Sequence, residues 1–176
     1  MIEKSMMGAL ALIFACCHTQ AEVIQPKADL TSIKTSAGEI TMLRTVVTMN
    51  SAHDLQLLGF FKRQGGKEPS QHIPFEFARG TEPLLKLQTG ADCMLSSARV
   101  VKVGGRLRIV YAKRQGEWND KRRVTFELFE LTVNDQEVPG IPLLYFRLKT
   151  TLQTKAQYCD ADEALEQEAA QYQAIR

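Results

Sequence analysis

The pair Gly104-Gly105 restricts the possible folds of this chain more than its composition does. A Gly-Gly pair supplies the positive φ angles of a two-residue β-hairpin turn without steric cost. The flanking segments, 98–103 and 106–114, are rich in Val, Ile and Leu, and the second begins by alternating apolar with polar residues. Alternation of this kind is typical of a strand that buries one face. The sequence therefore predicts an antiparallel hairpin over 98–114.

Four further segments carry strand signals. Segments 39–49 and 143–152 are rich in β-branched and aromatic residues, which favour pleated structure. Segment 124–133 has bulky apolar residues on both faces, which predicts a central strand covered on two sides. Segment 54–62 fits either a strand or a helix, and its Leu and Phe residues favour the strand. Together these segments predict a mainly β fold, either an antiparallel sheet or a sandwich.

The chain ends in a predicted helix. Asp160 is a favourable N-cap residue, and Glu163 three positions later completes a capping box. Ala164, Leu165 and Ala169 give the helix a small apolar face. We therefore expect one C-terminal α-helix that packs on the sheet.

The first 21 residues predict a secretory signal peptide. Lys4 gives a weakly basic start, and segment 6–15 is an unbroken run of apolar and small residues. This run of about ten residues is too short for a bilayer, whose hydrocarbon core needs about twenty. Thr19 and Ala21 place small residues at the −3 and −1 positions of a cleavage site. We therefore expect a periplasmic protein, cleaved after Ala21, with no transmembrane segment in its mature chain.

Two other interpretations of this segment stay open. The segment could be a buried N-terminal helix of a cytosolic protein. Cys16 could instead be the attachment site of a lipoprotein, but the bulky Phe14 stands where such sites usually have a small residue. The sequence favours soluble export over both.

Cys93 and Cys159 are the two cysteines that remain after signal cleavage. An even pair in an oxidising compartment predicts one disulfide, which would join the C-terminal helix to the segment before the hairpin. Two buried free thiols are the alternative. The predicted organisation is a signal peptide at 1–21, a flexible leader at 22–37 and a single β-rich domain at 38–176.

The charge balance excludes some classes of partner. The chain has 22 basic and 20 acidic side chains, which gives a formal net charge of +2 at pH 7. So small a net charge produces no broad field to attract nucleic acid or anionic lipid. Nucleic acid is therefore not an expected partner.

No catalytic or cofactor motif is recognisable in this sequence. The mature chain has two histidines, His53 and His72, and neither lies in a nucleophile motif. His53 beside Asp54 is more typical of a solvated turn than of a catalytic pair. Two isolated histidines and two disulfide-bonded cysteines do not supply the four ligands of a structural zinc site. The sequence therefore predicts no catalytic residue, no metal and no cofactor, and hence no enzyme.

Basic residues crowd the hairpin and the turn after it, and Trp118 lies among them. Arginine binds carboxylates through two parallel hydrogen bonds, so this cluster could hold a small anionic ligand or an acidic envelope protein. The alternative is a solvated face whose Lys and Arg side chains protect strand edges. The residues predicted to bind are Arg106, Arg108, Trp118, Arg122 and Arg123.

The C-terminal half resembles a known family over roughly residues 93–163. The residues that carry the resemblance are Cys93, Arg106-Leu107-Arg108-Ile109-Val110, Trp118, Val124-Thr125-Phe126, Val138-Pro139-Gly140-Ile141-Pro142, Tyr145-Phe146 and Tyr158-Cys159-Asp160. In their spacing they are similar to the carbapenem self-resistance proteins of the CarG type, which are small exported proteins. The resemblance implies a protein that guards the cell-wall machinery from a β-lactam without being a β-lactamase. It assigns no functional residue.

The predicted function combines these points. We expect an exported, non-catalytic envelope protein that binds a small anionic ligand or a protein partner and protects against a carbapenem. One alternative is a structural or assembly component of a cell-surface apparatus, recognised through an exposed strand edge. Another is an unrecognised periplasmic enzyme that uses His53 or His72.

Overall fold

The computed structural model describes residues 21–24, 29–48, 53–63, 71–90, 92–116, 119–136 and 139–173. Within these ranges the chain forms twelve β-strands and two short α-helices. The strands are β1 Glu22–Ile24, β2 Asp29–Thr35, β3 Gly38–Val47, β4 Leu55–Lys62, β5 Gln71–His72, β6 Phe75–Phe77, β7 Gly80–Glu82, β8 Leu85–Gln88, β9 Ser96–Val103, β10 Arg106–Arg114, β11 Val124–Val133 and β12 Leu144–Gln153. The helices are α1 Ala161–Gln167 and α2 Ala169–Gln173. The prediction of a mainly β chain is confirmed.

The strands form two sheets that pack face to face. The large sheet has seven strands in the order β1-β9-β10-β11-β12-β6-β7. The small sheet has five, with β8 paired to β4 beside the path β2-β3-β4-β5. Paired strands run antiparallel except β12 and β6, which are parallel. Segment 54–62, which fitted either a strand or a helix, forms the strand β4.

The predicted hairpin is formed by β9 and β10. Val103 lies opposite Arg106, and Gly104 and Gly105 between them have φ angles of 57° and 80°. Positive φ at both central positions matches the type I′ turn, whose twist suits the two flanking strands. The glycine pair therefore sets the register of the whole hairpin.

Aromatic side chains fill the core between the two sheets. Phe60 of the small sheet meets Phe146 of the large sheet with ring centroids 4.8 Å apart, and Phe75 stacks on Phe146 at 4.9 Å. All three rings are fully buried. Burial of one such side chain contributes roughly 1.5–3 kcal/mol, so this cluster is a main source of attraction between the sheets.

The two helices cover the outer face of the large sheet and form a second core there. Ala164 and Leu165 of α1 and Tyr172 of α2 belong to this core. Strand β11 contributes Phe126 to it and Phe129 to the core between the sheets. The prediction that 124–133 is a strand buried on both faces is therefore confirmed.

The C-terminal segment differs from the single capped helix that was predicted. It forms two helices, separated at Glu168. Asp160 makes no side-chain capping bond to α1, because its Oδ1 accepts a hydrogen bond from the Met94 N–H at 2.5 Å. The Ala161 N–H donates to the Met94 carbonyl at 2.9 Å. The capping-box prediction is wrong because a tertiary contact takes the carboxylate that the local pattern assigns to the helix.

Glu168 anchors the chain that leads into α1. Its buried carboxylate accepts hydrogen bonds from the N–H groups of Lys155 and Ala156, at 3.2 and 3.1 Å, and from the Tyr158 hydroxyl at 3.0 Å. Burial by itself raises the pKa of Glu168, but these hydrogen bonds outweigh it and hold the pKa below its ordinary value of 4.5. Burial, together with the bond to Glu168, raises the pKa of Tyr158.

The predicted disulfide between Cys93 and Cys159 is present, with Cα atoms 5.2 Å apart. It joins the loop between β8 and β9 to the residues that lead into α1. The hydrogen bonds between Met94 and Asp160 lie beside it. Together these links hold α1 against the start of β9.

Residues 22–37 were predicted as a flexible leader, and this prediction is wrong. They contain β1, which pairs with β9, and β2, which pairs with β3. Ile33 on β2 is buried in the core between the sheets. The Ser36 N–H donates to the Gly105 carbonyl at 2.9 Å. Strand β1 is ordered by pairing with a distant strand, which local periodicity does not reveal, whereas β2 forms a hairpin with β3 through the two-residue connection Ser36-Ala37.

The predicted signal peptide lies outside the described residues except for Ala21. Signal cleavage and the alternative of lipidation at Cys16 therefore stay predictions. No helix within the described residues is long and apolar enough to cross a membrane.

Candidate functional site

A cavity of about 210 Å³ opens between the two sheets at the Ser96–Arg99 end of β9 and reaches round this edge to α1 on the outer face; it is called the inter-sheet cavity. Residues of β1, β3, β4, β8 and β9 line it, and α1 closes one side. Its apolar lining includes Ile24, Leu58, Leu87 and Ala98. The cavity therefore joins an apolar floor to polar groups that come from distant parts of the chain.

Arg44 occupies a position where the strand pattern calls for an apolar side chain. Ile40 and Met42, on the same face of β3, are buried in the core between the sheets. Arg44 Nε and Nη2 donate to Gln56 Oε1 on β4, at 3.0 and 2.6 Å. Among the described side chains, no carboxylate lies within ion-pair distance of Arg44. The half-buried guanidinium thus brings a positive charge to the cavity wall, and Asp29 on β2 is the residue directly opposite Arg44 in the sheet.

A second wall of the cavity is acidic. Asp162 and Glu166 are four residues apart on α1 and lie on one face of the helix. Ser97 Oγ donates to Asp162 Oδ1 at 3.0 Å, and Arg99 Nη2 lies 3.7 Å from Glu166 Oε1. The Glu166 side chain is 66% exposed, so its ion pair with Arg99 is weak. This wall holds two carboxylates and one guanidinium.

The hydroxyl groups in the cavity are engaged by the fold. Ser96 Oγ accepts a hydrogen bond from a backbone N–H of β8 at 2.8 Å, and Thr89 Oγ1 donates to the Asp54 carbonyl at 2.9 Å. Ser97 donates to Asp162. No imidazole of the described part of the chain lines the cavity.

A wider groove of about 660 Å³ lies beside the β6–β7 hairpin. Lys113 Nζ lies 4.9 Å from the ring centroids of Phe77 and Tyr111, and 2.8 Å from Glu127 Oε2. The Tyr111 hydroxyl donates to the Lys86 carbonyl at 2.6 Å, and burial raises the pKa of Tyr111. Its lining holds Arg79, Lys86 and Lys113 against Glu82 and Glu127, an excess of one positive charge. Its wider and more open shape makes it a weaker candidate than the inter-sheet cavity for enclosing a small ligand.

The arginines that were predicted to bind do not form one patch. Arg106 and Arg108 lie near the hairpin turn, and both pair with Glu130, at 3.7 and 2.7 Å. Arg122 and Arg123 lie beyond the other end of β10, roughly 27 Å away at about 3.4 Å per residue. None of the four lines the inter-sheet cavity.

The remaining predicted residue, Trp118, lies outside the described residues. At that end of the hairpin, Arg122 pairs with Asp120 at 2.7 Å, and its backbone bridges to Tyr158. A binding role for the five residues stays a prediction.

The sequence predicted no site role for Arg44, Gln56, Asp162 or Glu166. A usable signal existed for Arg44, because a charged residue follows Ile40 and Met42 at the same spacing on β3. Only Asp160 and Glu163 were interpreted among the acidic residues around α1, as a capping box. The approach of Asp162 and Glu166 to β9 depends on the fold.

The two histidines occupy different surroundings. His72 Nε2 lies 2.7 Å from the Pro83 carbonyl oxygen, so this nitrogen donates and does not act as a base. His53 directly precedes Asp54 at the start of β4. In the described ranges, no group of three or more His, Cys, Asp or Glu side chains is placed to hold a metal ion.

Comparison with known proteins gives one match, in structure. No family model and no curated protein matches this chain. Among solved structures, the crystal structure of CarG superposes with a TM-score of 0.70, over 88% of this chain and 96% of CarG, at 19% sequence identity. The chain has the fold of CarG.

The match confirms, at the level of the fold, the resemblance predicted from residues 93–163. Because it covers 88% of the chain, the likeness to CarG includes strands of both sheets. At 19% identity, the likeness to CarG establishes the fold alone. The ligand must be argued from the residues of this chain.

Proposed function

We propose that this protein is exported, binds a small carboxylate-bearing ligand in the inter-sheet cavity, and protects the cell-wall machinery from a carbapenem by binding it. The observation that carries the proposal is Arg44, a half-buried guanidinium whose described partner is the neutral oxygen of Gln56. Arginine forms charge-assisted hydrogen bonds with carboxylates. A ligand carboxylate would bind the guanidinium N–H groups that Gln56 does not use.

The size and lining of the cavity support a compact ligand. Leu58 and Leu87 offer apolar surface close to Arg44. A volume of about 210 Å³ is below the roughly 300–1,000 Å³ of pockets for drug-sized molecules, so the cavity suits a small ring system. A carbapenem has one carboxylate on a compact fused bicycle, and the fold shared with CarG supports the same choice.

Binding without turnover agrees with the groups around the cavity. The hydroxyls of Ser96, Ser97 and Thr89 hydrogen-bond to protein groups, and no described imidazole is beside them. Opening a β-lactam by a serine requires a nucleophile activated by a general base. The group that accepts from Ser97 is the Asp162 carboxylate, and a carboxylate is a weaker base than an imidazole. We therefore propose that the bound drug stays intact.

Export is supported by two features of the fold. The Cys93–Cys159 disulfide is of a kind that persists in oxidising compartments. Strand β1 begins at Glu22, directly after the predicted cleavage position. Cleavage there would leave every described strand intact.

The binding step is tested by calorimetry. The full chain is expressed with its signal, and the protein purified from the periplasm is titrated with a carbapenem while intact drug is assayed by mass spectrometry. We expect saturable binding and no loss of drug. Arg44→Met should weaken binding about 10–100-fold, because a hydrogen bond to a charged group contributes about 1.5–3 kcal/mol. Arg106→Met, which removes a half-exposed arginine outside the cavity, is the matched control.

Two results would overturn the proposal. Loss of drug in proportion to protein would show an enzyme. Failure of the wild-type protein to bind, or equal binding by the Arg44 and Arg106 variants, would show that the inter-sheet cavity is not the site.

The protective role is tested in cells. The inhibitory concentration of the carbapenem is measured in a sensitive bacterium that produces the full chain or its Arg44→Met variant. We expect the wild-type chain to raise the inhibitory concentration and the variant to lose most of that increase at equal periplasmic abundance. An equal increase in inhibitory concentration from both chains would show that protection does not depend on Arg44 in this cavity.

A further inference from the structure

Gln56 lies beside Arg44 in the wall of the inter-sheet cavity. Its Oε1 accepts hydrogen bonds from Arg44 Nε and Nη2, at 3.0 and 2.6 Å. A guanidinium has only N–H donors and no acceptor, so the amide atom that faces it must be the oxygen. Arg44 therefore fixes the orientation of the Gln56 amide and leaves its Nε2 for other partners.

The N–H donors of Gln56 Nε2 are not used by the described part of the fold, because no described group accepts from them. The side chain is half-buried on β4, and the apolar Leu58 and Leu87 line the same cavity. A low local dielectric strengthens a hydrogen bond formed there. The amide thus offers donors beside the proposed carboxylate site.

Asp29 lies on the other side of Arg44. Strand β3 runs between β2 and β4, so Asp29 is directly opposite Arg44 on β2, whereas Gln56 is diagonal to it on β4. An ionised carboxylate repels an anionic ligand, and an amide N–H attracts its acceptor oxygens. The β4 side of Arg44 is therefore the favourable side for an anionic ligand.

We infer that Gln56 is a second ligand-binding residue of this cavity: its Nε2 donates to an acceptor oxygen of the ligand while Arg44 binds the carboxylate. The inference rests on the proposed function, because it specifies how the same site selects its ligand. The ligand class is a carboxylate with a second acceptor oxygen close by. A carbapenem fits, because its ring nitrogen joins the carbon that bears the carboxylate to the β-lactam carbonyl.

Calorimetric titration with meropenem measures the contribution of Gln56. Gln56→Met keeps a side chain of similar length without a donor, and it should weaken binding by about 3–10-fold. Gln88→Met is the matched control. Gln88 is exposed on the neighbouring strand β8, and it faces away from the cavity that Leu87 lines. This control should bind meropenem like the wild type.

A double-mutant cycle separates contact with the ligand from support of Arg44. In the Arg44→Met background Gln56 has no guanidinium to hold, so a merely structural Gln56 would lose its effect on binding there. We expect Gln56→Met to weaken binding by about 3–10-fold in that background as well. Asp29→Asn should not weaken binding, because it removes a negative charge opposite Arg44.

Nuclear magnetic resonance gives a direct readout in the wild-type protein. The side-chain amide signals of Gln56 in the isotope-labelled protein are identified by their absence from the spectrum of Gln56→Met. One Nε2 proton should move downfield on saturation with meropenem, because it enters a new hydrogen bond. The signals of the Gln88 amide should stay in place.

The outcomes separate this inference from the proposed function. Suppose that binding depends on Arg44, but the Gln56 amide does not shift and Gln56→Met has no effect in the Arg44→Met background. That result would overturn the inference and leave the proposed function standing. Weaker binding by Asp29→Asn would show that the β2 side of Arg44 forms the site, which also overturns the inference. Failure of the wild-type protein to bind meropenem would overturn the proposed function and the inference with it.

Discussion

Removal of the Cys93–Cys159 disulfide should lower the free energy of unfolding by about 4 kcal/mol. The two cysteines are 66 residues apart in the sequence. Closing a loop of that size removes unfolded-state entropy worth roughly 4 kcal/mol at 25 °C. The native links beside the bridge survive its loss, because Asp160 still accepts from Met94. The effect should therefore act mainly on the unfolded chain.

Urea unfolding followed by circular dichroism measures this change. The double variant Cys93→Ala, Cys159→Ala is compared with the wild type, and the wild type with added reductant serves as a second comparison that truncates no side chain. In both, the free energy of unfolding should fall by the same amount. The slope of this free energy against urea concentration should become steeper, because the unfolded chain without the bridge exposes more surface. A loss below about 1 kcal/mol in both would refute the entropy argument.

Two further substitutions test the core and the C-terminal anchor. Phe146→Ala should cost about 3–5 kcal/mol in urea unfolding, because its fully buried ring contacts Phe60 and Phe75; a loss under 1 kcal/mol would contradict this packing. Glu168 has a lowered pKa, so its stabilisation is present above its unfolded pKa and is lost as the pH falls through the folded value. Glu168→Gln should lower the free energy of unfolding at neutral pH and should weaken the fall of this free energy as the pH is lowered. Urea unfolding at several pH values measures both effects, and an unchanged pH dependence would contradict the role of Glu168.

Elements that depend on neighbouring residues were predictable from the sequence. The hairpin follows from Gly104-Gly105, because a two-residue turn fixes the pairing of the strands it joins. Strand β11 follows from its apolar residues on both faces. Strand β1 was missed because it pairs with β9 far along the chain. Strand β2 was missed although it pairs with the next strand, because its connection Ser36-Ala37 is not a recognised hairpin-turn pair. Asp160 was misassigned because Met94 competes for its carboxylate.

The candidate site was less predictable than the fold. Basic residues that are dense in the sequence are spread along β10 and neutralised by carboxylates on β11, as Arg108 is by Glu130. Arg44 on β3 and Asp162 on α1 line the same cavity, and no spacing in the sequence records this. The one local signal is the charged Arg44 after the apolar Ile40 and Met42 on one face of β3. It indicates a polar position at the core but not the residues that surround it.

The position of β1 in the large sheet has a consequence for how the chain reaches its folded form. Glu22, the first residue of β1, pairs with Lys102, and β6 joins the same sheet beside β12. The residues of β1 leave the ribosome before those of β9 and must therefore wait for them before they can pair. Folding with such long-range pairing is slow, because loop closure precedes the contacts that reward it. Under the proposed export, β1 would stay unpaired until β9 has also crossed the membrane.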